Sequence, residues 1–235
     1  YEAIRKDCNI IFTTTPEFVK ASVQAAIDHP NVKILNCSLN TSHRYIRTYY
    51  ARMYEAKFLM GAVAGAMSEN GQLAYIADYP IFGTIANINA FALGAKMINP
   101  RARVYLEWST LKDVDIRLAM GNVQKKGVTV VSGKDMVIPE DASRYFGLYH
   151  LTEEGPHNLA MPLWHWGKFY EQLIRTIMDG TWKYDDNYET KAINYWWGLS
   201  AGVVDVIHSQ NLPIGTRRLI QLLKDNITRG EFNPF

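Results

Sequence analysis

The sequence predicts an α/β protein in which parallel strands alternate with covering helices. Two stretches carry this reading. Residues 49–108 run helix, strand, helix, strand with turn residues at each boundary, and residues 9–36 run strand, helix, strand. A strand, a helix and a second strand of these lengths form a βαβ unit, whose crossover is right-handed. In a chain of 235 residues this leaves room for one large domain or for two lobes.

From the amino terminus, Asn9 to Phe12 read as a strand that gives way to Thr13, Thr14 and Thr15. Pro16 opens a helix to about residue 28, with Phe18, Val19, Val23 and Ile27 inward. His29, Pro30 and Asn31 turn the chain into a strand at 32–36. Tyr54, Phe58, Ala62, Gly65 and Ala66 then recur at helical spacing, and the small residues among them let this helix lie close against a neighbouring sheet. Asn70-Gly71 stops it. Residues 73–77 suit a buried strand, and Asp78-Tyr79-Pro80 marks its exit loop. A helix over 83–98 puts Ile85, Ile88, Phe91, Ala92 and Ala95 on one face; Asn99-Pro100 ends it before a parallel strand at 103–108. Val114, Ile116, Met120 and Val123 predict a helix over 112–126, followed by strands at 128–131 and 145–149. Residues 156–166 lead back toward the first sheet and into a helix over 166–178. A β-rich return at 195–207 and an amphipathic helix at 213–229, using Leu219, Ile220, Leu223 and Ile227, complete the chain.

Composition sets bounds on partners. The chain is 48% hydrophobic and 20% charged, with a net charge of +2. Basic residues are spread out rather than interleaved with aromatics, so nucleic acid is not an expected partner. No apolar run reaches bilayer length, and Tyr1 is not an initiator residue, so more chain is expected upstream. The two cysteines fall at opposite ends of neighbouring parallel strands, too far apart to bridge, and are expected as free thiols. The histidines show no metal-ligand spacing. There is no Gly-rich phosphate loop, no GxSxG and no carboxylate pair in catalytic spacing. The reading is therefore of a protein without metal or cofactor, and not of an enzyme.

The run MYEAKFLMGAVAGAMSENGQLAYIADYPIFGTIANINAFALGAKMINPRARVYLEW resembles the signature region of the basic membrane protein family of solute-binding proteins. That family pairs a YEA-x-FLAG helix with a strand, an INAFxLGA helix and NP before the next strand. The closing TRGEFNPF is similar to the family's carboxyl terminus. The resemblance implies the two-lobed type I periplasmic-binding fold, with parallel sheets flanked by helices. It places residues 1–40 and about 160–235 in the first lobe, and 41–159, with the helix that leads into it, in the second. It implies a receptor for an ABC importer that binds a purine base or nucleoside in the interlobe cleft, with the transporter permease as partner. The location implied is extracytoplasmic, as a membrane-anchored lipoprotein with an upstream lipid anchor or as a periplasmic protein. The alternative is a cytoplasmic small-molecule-sensing regulator built on the same lobes. It implies too that the first lobe lacks its amino-terminal strands here. Residues 10–12 would then present an apolar edge, so this form is expected to bind ligand weakly and to associate through that edge.

In open parallel sheets ligands bind outside the carboxyl ends of the strands. The strand exits supply Thr14, Ser38, Tyr79, Trp108, Asp135, Met136 and Tyr149 as candidate contacts, joined by Trp164. Aromatics with short polar groups suit a flat heteroaromatic ligand, which needs a face to stack on and partners for its edge. Carbohydrate fits the same mixture. Asp135 stands out because an acidic residue between an apolar strand and a turn must find a partner if buried. Trp108 and Trp164 fit packing roles equally well, and Trp166 fits packing better. The resemblance implies more: nucleoside-binding members carry aspartates where Ser38 and Tyr149 stand here, and a lysine near Trp164. The Trp164-His165-Trp166-Gly167 run is similar to members that bind a free purine base, so a base such as adenine is preferred to a nucleoside.

Overall fold

The computed structural model describes residues 1–37, 46–77, 82–109, 116–135, 144–180, 182 and 194–235. In chain order the elements are α1 (Glu2–Arg5), β1 (Ile10–Thr13), a 3-10 turn (Pro16–Phe18), α2 (Val19–Asp28), β2 (Lys33–Cys37), β3 (Arg47–Ala51), α3 (Met53–Met67), β4 (Gln72–Ala77), α4 (Phe82–Ile98) and β5 (Arg103–Trp108). They continue with α5 (Ile116–Lys125), β6 (Val130–Ser132), β7 (Leu148–Thr152), β8 (Gly155–Trp164), α6 (Trp166–Met178), β9 (Asn194–Trp197), β10 (Val204–His208) and α7 (Ile214–Thr228). They form two compact units, Tyr1–Ala51 with Trp166–Trp197, and Arg52–His165 with Gly198–Phe235.

The first unit is a four-stranded parallel sheet in the order β1, β2, β3, β9. One face is aliphatic: Ile34 and Ile46 pack with Ala25 and Ala26 of α2, and Ile11 and Val23 lean on them. The other is aromatic. The ring of Phe12 lies 4.5 Å from that of Tyr170, and Tyr49 stacks on Phe169 at 4.9 Å, so α6 is held by ring contacts from two strands. Strand β3 is absent from the sequence reading because only Arg52 separates it from α3, leaving no turn signal between them. Register puts Ile10 opposite Lys33 and Thr13 opposite Asn36, which sets Cys8 and Cys37 at opposite ends of the pair. Both are free thiols.

The second unit holds a six-stranded sheet in the order β10, β8, β7, β6, β4, β5. Strand β4 runs parallel to β5 and β6, whereas β7 is antiparallel to β6 and β8, and β10 is antiparallel to β8. The expected strand at 145–149 begins later, at Leu148. Gly147, at φ +61°, turns the chain so tightly that a Cβ there would sit 2.6 Å from the Ala160 carbonyl oxygen. Residues 156–164 are a strand of this sheet, and the chain passes to the first unit directly after it, at Trp166. The β-rich return divides: β9 joins the first sheet and β10 the second. Because β10 pairs with β8 and α7 packs on α3, residues 198–235 belong to the second unit and not, as expected, with the first.

Helix α3 is buried along almost its whole length. Its glycines bring it against another helix, α4, while α3 also meets strands β6, β8 and β10 of the sheet. A Cβ on Gly61 would collide with the Phe91 carbonyl oxygen, one on Gly94 with that of Phe58, and one on Gly65 would lie 2.5 Å from that of Ala95. Backbone therefore touches backbone along this seam. The other side of α3 meets the carboxyl-terminal segment, with Phe58 5.2 Å from Phe232 and Tyr54 5.0 Å from Phe235.

Candidate functional site

In the second unit β4, β5, β6 and β8 point the same way, so their carboxyl ends lie along one edge. Trp108 ends β5, Asp135 follows β6 by three residues and Trp164 ends β8. Strand order puts four interstrand steps between β5 and β8, roughly 19 Å at about 4.8 Å each. Both indoles are half-buried, yet one flat ligand cannot stack on both. Asp135 stands between them.

Asp135 is held from beneath. Lys57, 0% exposed, reaches from α3 and pairs with its carboxylate, whose side chain keeps 21% of its surface. The same ammonium lies 3.4 Å from Ser132 Oγ, where the hydroxyl accepts, and 4.9 Å from the centre of the Tyr75 ring. Ser132 is itself fully buried at the end of β6. A buried charge survives only when paired and hydrogen-bonded, and Lys57 meets both conditions. The loop that carries Asp135 is fixed by its backbone: Gly133 N–H donates to the Gly147 carbonyl at 2.8 Å, and Gly147 N–H to that of Lys134 at 2.5 Å.

Tyr149 is 1% exposed. Its ring fills the space above Gly133, where a Cβ would come within 2.9 Å of it, and Tyr145 meets it edge-on at 5.5 Å. Burial pushes its hydroxyl above the ordinary phenol range, so it stays protonated. The structure thus places Tyr149 as the floor of the Asp135 loop.

In the first unit Thr14 is exposed beyond β1. Beside it Asn36, 0% exposed, donates through Nδ2 to Thr13 Oγ1 at 2.7 Å and to the Thr15 carbonyl at 2.8 Å. Asn36 Oδ1 and Thr15 Oγ1 are buried with no partner among the described residues. Tyr49 Oη donates to the Thr13 carbonyl at 3.2 Å, which ties this loop to the aromatic face. Ser38, Tyr79 and Met136 lie outside the described residues.

Sequence reasoning missed Lys57 and Asn36. Each had a signal: a lysine in the middle of the apolar helix YEAKFLMG, and an asparagine inside the apolar strand KILNC. A polar side chain in such a place has a fixed partner or a function. Among the described residues no group of histidine, cysteine, aspartate and glutamate is placed to hold a metal ion, and no helix is long and apolar enough to cross a membrane.

Residues 1–138 match the model of the Bmp family, ABC transporter substrate-binding protein PnrA-like. A purine-binding protein of Brucella abortus (strain 2308) is 28% identical over 239 aligned positions, which take in 96% of this chain and 65% of that protein. A Haloferax volcanii protein named for ABC transporter glucose binding is 26% identical over 207 positions, 84% of this chain and 51% of that one. The chain thus spans about half to two thirds of the length of these relatives. Among solved structures, a transcriptional activator of the comK gene from Bacillus halodurans superposes with a TM-score of 0.75 at 17% identity, covering 100% of this chain and 83% of that one. An ABC transporter solute-binding protein from Conexibacter woesei gives 0.70 at 12% identity, covering 99% and 81%. These two likenesses share the α/β fold with parallel-containing sheets flanked by helices. Since the family model takes in more than half of its residues, the chain belongs to the PnrA-like family of ABC transporter substrate-binding proteins.

Proposed function

We propose that this chain is the ligand-binding component of an ABC importer and that its ligand is a purine base, with nucleosides as the wider class. The observation that carries this reading is its similarity, over 96% of its length, to a protein named for purine binding. The site chemistry supports it. Asp135 offers a fixed carboxylate to the N–H groups of a base, and the half-buried Trp108 and Trp164 each offer a stacking face near the strand ends. The protein acts by binding, not by chemistry on the ligand, and hands the base to a transporter permease. Its place is extracytoplasmic, as a lipid-anchored or periplasmic receptor.

The test is calorimetric titration and tryptophan fluorescence with adenine, guanine, adenosine and glucose. A purine base binds, and glucose does not. Asp135→Asn leaves a ligand N–H poorly paired, and Trp164→Ala removes a stacking face; each loss of about 1–3 kcal/mol weakens binding roughly five- to 150-fold. Glucose binding without purine binding would overturn the reading, and unchanged affinity in both variants would move the site away from these residues.

A further inference from the structure

The sequence singles out Asp135 in the loop after β6, and the structure adds the group beneath it. We propose that Lys57 is a positioning residue that sets the charge selectivity of the site: by neutralising Asp135 from below, it makes the site take uncharged nitrogen heterocycles and reject cations. The proposal rests on the reading of Asp135 as a ligand contact.

The geometry supports three steps. An ammonium has three protons, and Lys57 directs them at the Asp135 carboxylate, the Ser132 hydroxyl and the Tyr75 ring. With 0% of its surface exposed, it has no donor to offer a ligand, so it acts through Asp135 alone. Asp135 pairs with Lys57 and keeps 21% of its side chain exposed. A carboxylate accepts up to about four hydrogen bonds, so the pair with Lys57 does not by itself exhaust it. A ligand that reaches the exposed part of Asp135 therefore meets a hydrogen-bond acceptor whose charge Lys57 balances. For an N–H of an uncharged base this is sufficient. A cationic ligand would need an uncompensated carboxylate, and Lys57 cancels most of that attraction and adds repulsion of its own. Lysine at this place in an almost wholly buried helix is costly, and packing alone would be served by leucine or methionine.

The experiment compares adenosine with 1-methyladenosine, a cation at neutral pH, as ligands of the full chain. The methyl group is the same for every variant, so the change in the affinity ratio reads charge. Parent protein favours adenosine. Lys57→Met, nearly isosteric and neutral, shifts the ratio at least about tenfold toward the cation. Lys57→Met combined with Asp135→Asn restores the parent ratio, and Asp135→Asn alone, which leaves the ammonium uncompensated, shifts it the other way. Because Asp135→Asn gives an opposite sign, the proposal stays testable if Lys57→Met fails to fold. If neither nucleoside binds the parent, adenine is titrated in their place, and only its failure as well sinks the purine reading. The charge rule is then read by NMR titration of the Asp135 carboxyl: a strong rise in its pKa in Lys57→Met upholds the neutral pair, and an unchanged value overturns it. An unaltered ratio in folded Lys57→Met and Asp135→Asn also overturns it.

Discussion

At the scale of single residues, Glu55 shows how burial and hydrogen bonding oppose each other. Its side chain, 5% exposed, accepts from the Leu199 N–H at 2.7 Å and lies so close over Gly198 that a Cβ there would collide with Oε2. Burial raises its pKa above the ordinary 4.5, against the lowering influence of that N–H and of Arg52, 3.7 Å away. The sign follows by linkage. The folded state holds the proton more tightly than the unfolded state, so its contribution to stability is full below 4.5 and is lost as pH rises through the higher folded value. Glu55→Gln keeps an acceptor for Leu199 and removes the titration. Parent stability relative to Glu55→Gln, measured by urea unfolding, should therefore rise as pH falls from 7 toward 4.5. Glu55→Ala strands the Leu199 N–H and should cost about 1–3 kcal/mol at neutral pH. A parent-to-Gln difference that is flat with pH would contradict this account. Cys37 shows desolvation acting by itself, its thiol pushed up to about 11 by burial.

At the scale of elements, the seam between α3 and α4 decides what sequence can do. Glycines at 61, 65 and 94 allow backbone contact, and Gly61→Ala would press a methyl into the Phe91 carbonyl. The helices must separate, at about 1–3 kcal/mol by the usual cost of overpacking. Gly121, inside α5 with nothing within 4 Å of where a Cβ would stand, is the control. Gly121→Ala should instead stabilise by about 0.5–1 kcal/mol, since alanine is the better helix former. Equal effects in chemical denaturation would mean that close approach is not why Gly61 is glycine. Helices α4, α6 and α7 were legible because their ends carry stop signals and their apolar periodicity is unbroken. The small residues of α3 were legible as a close contact, but the partner was not. A stripe of small residues records that something approaches and not whether it is a sheet or a helix. Strand β3 hid because a strand that passes into a helix through Arg52 alone lacks the turn chemistry that marks a boundary.

At the scale of the whole molecule, the two units differ in how they are assembled. The second has a continuous core along α3, α4 and β4, and β4 is paired on both sides. The first brings together pieces separated by the whole of 52–165, and its β1 is half-buried at every position and paired, among the described residues, only with β2. Nothing in the local pattern marks residues 198–235 as part of the second unit, because the pairing of β10 with β8 is a long-range choice that neighbouring residues do not encode. Asp135 was legible as an acid after a strand, whereas its pairing with Lys57 required α3 and β6 to meet in space. Local opening free energies range from near zero at frayed edges to the global value in a core. Amides of Ile10–Thr13 should therefore exchange with deuterium through local opening, several kcal/mol below the global unfolding free energy. Amides of Gln72–Ala77 should exchange only with global unfolding and should share the urea dependence of the whole transition. Hydrogen exchange with mass spectrometry across a urea series separates these cases. If β1 peptides are as protected and as urea-sensitive as those of β4, the edge strand belongs to the same cooperative core, and the first unit is not the weaker part of the molecule.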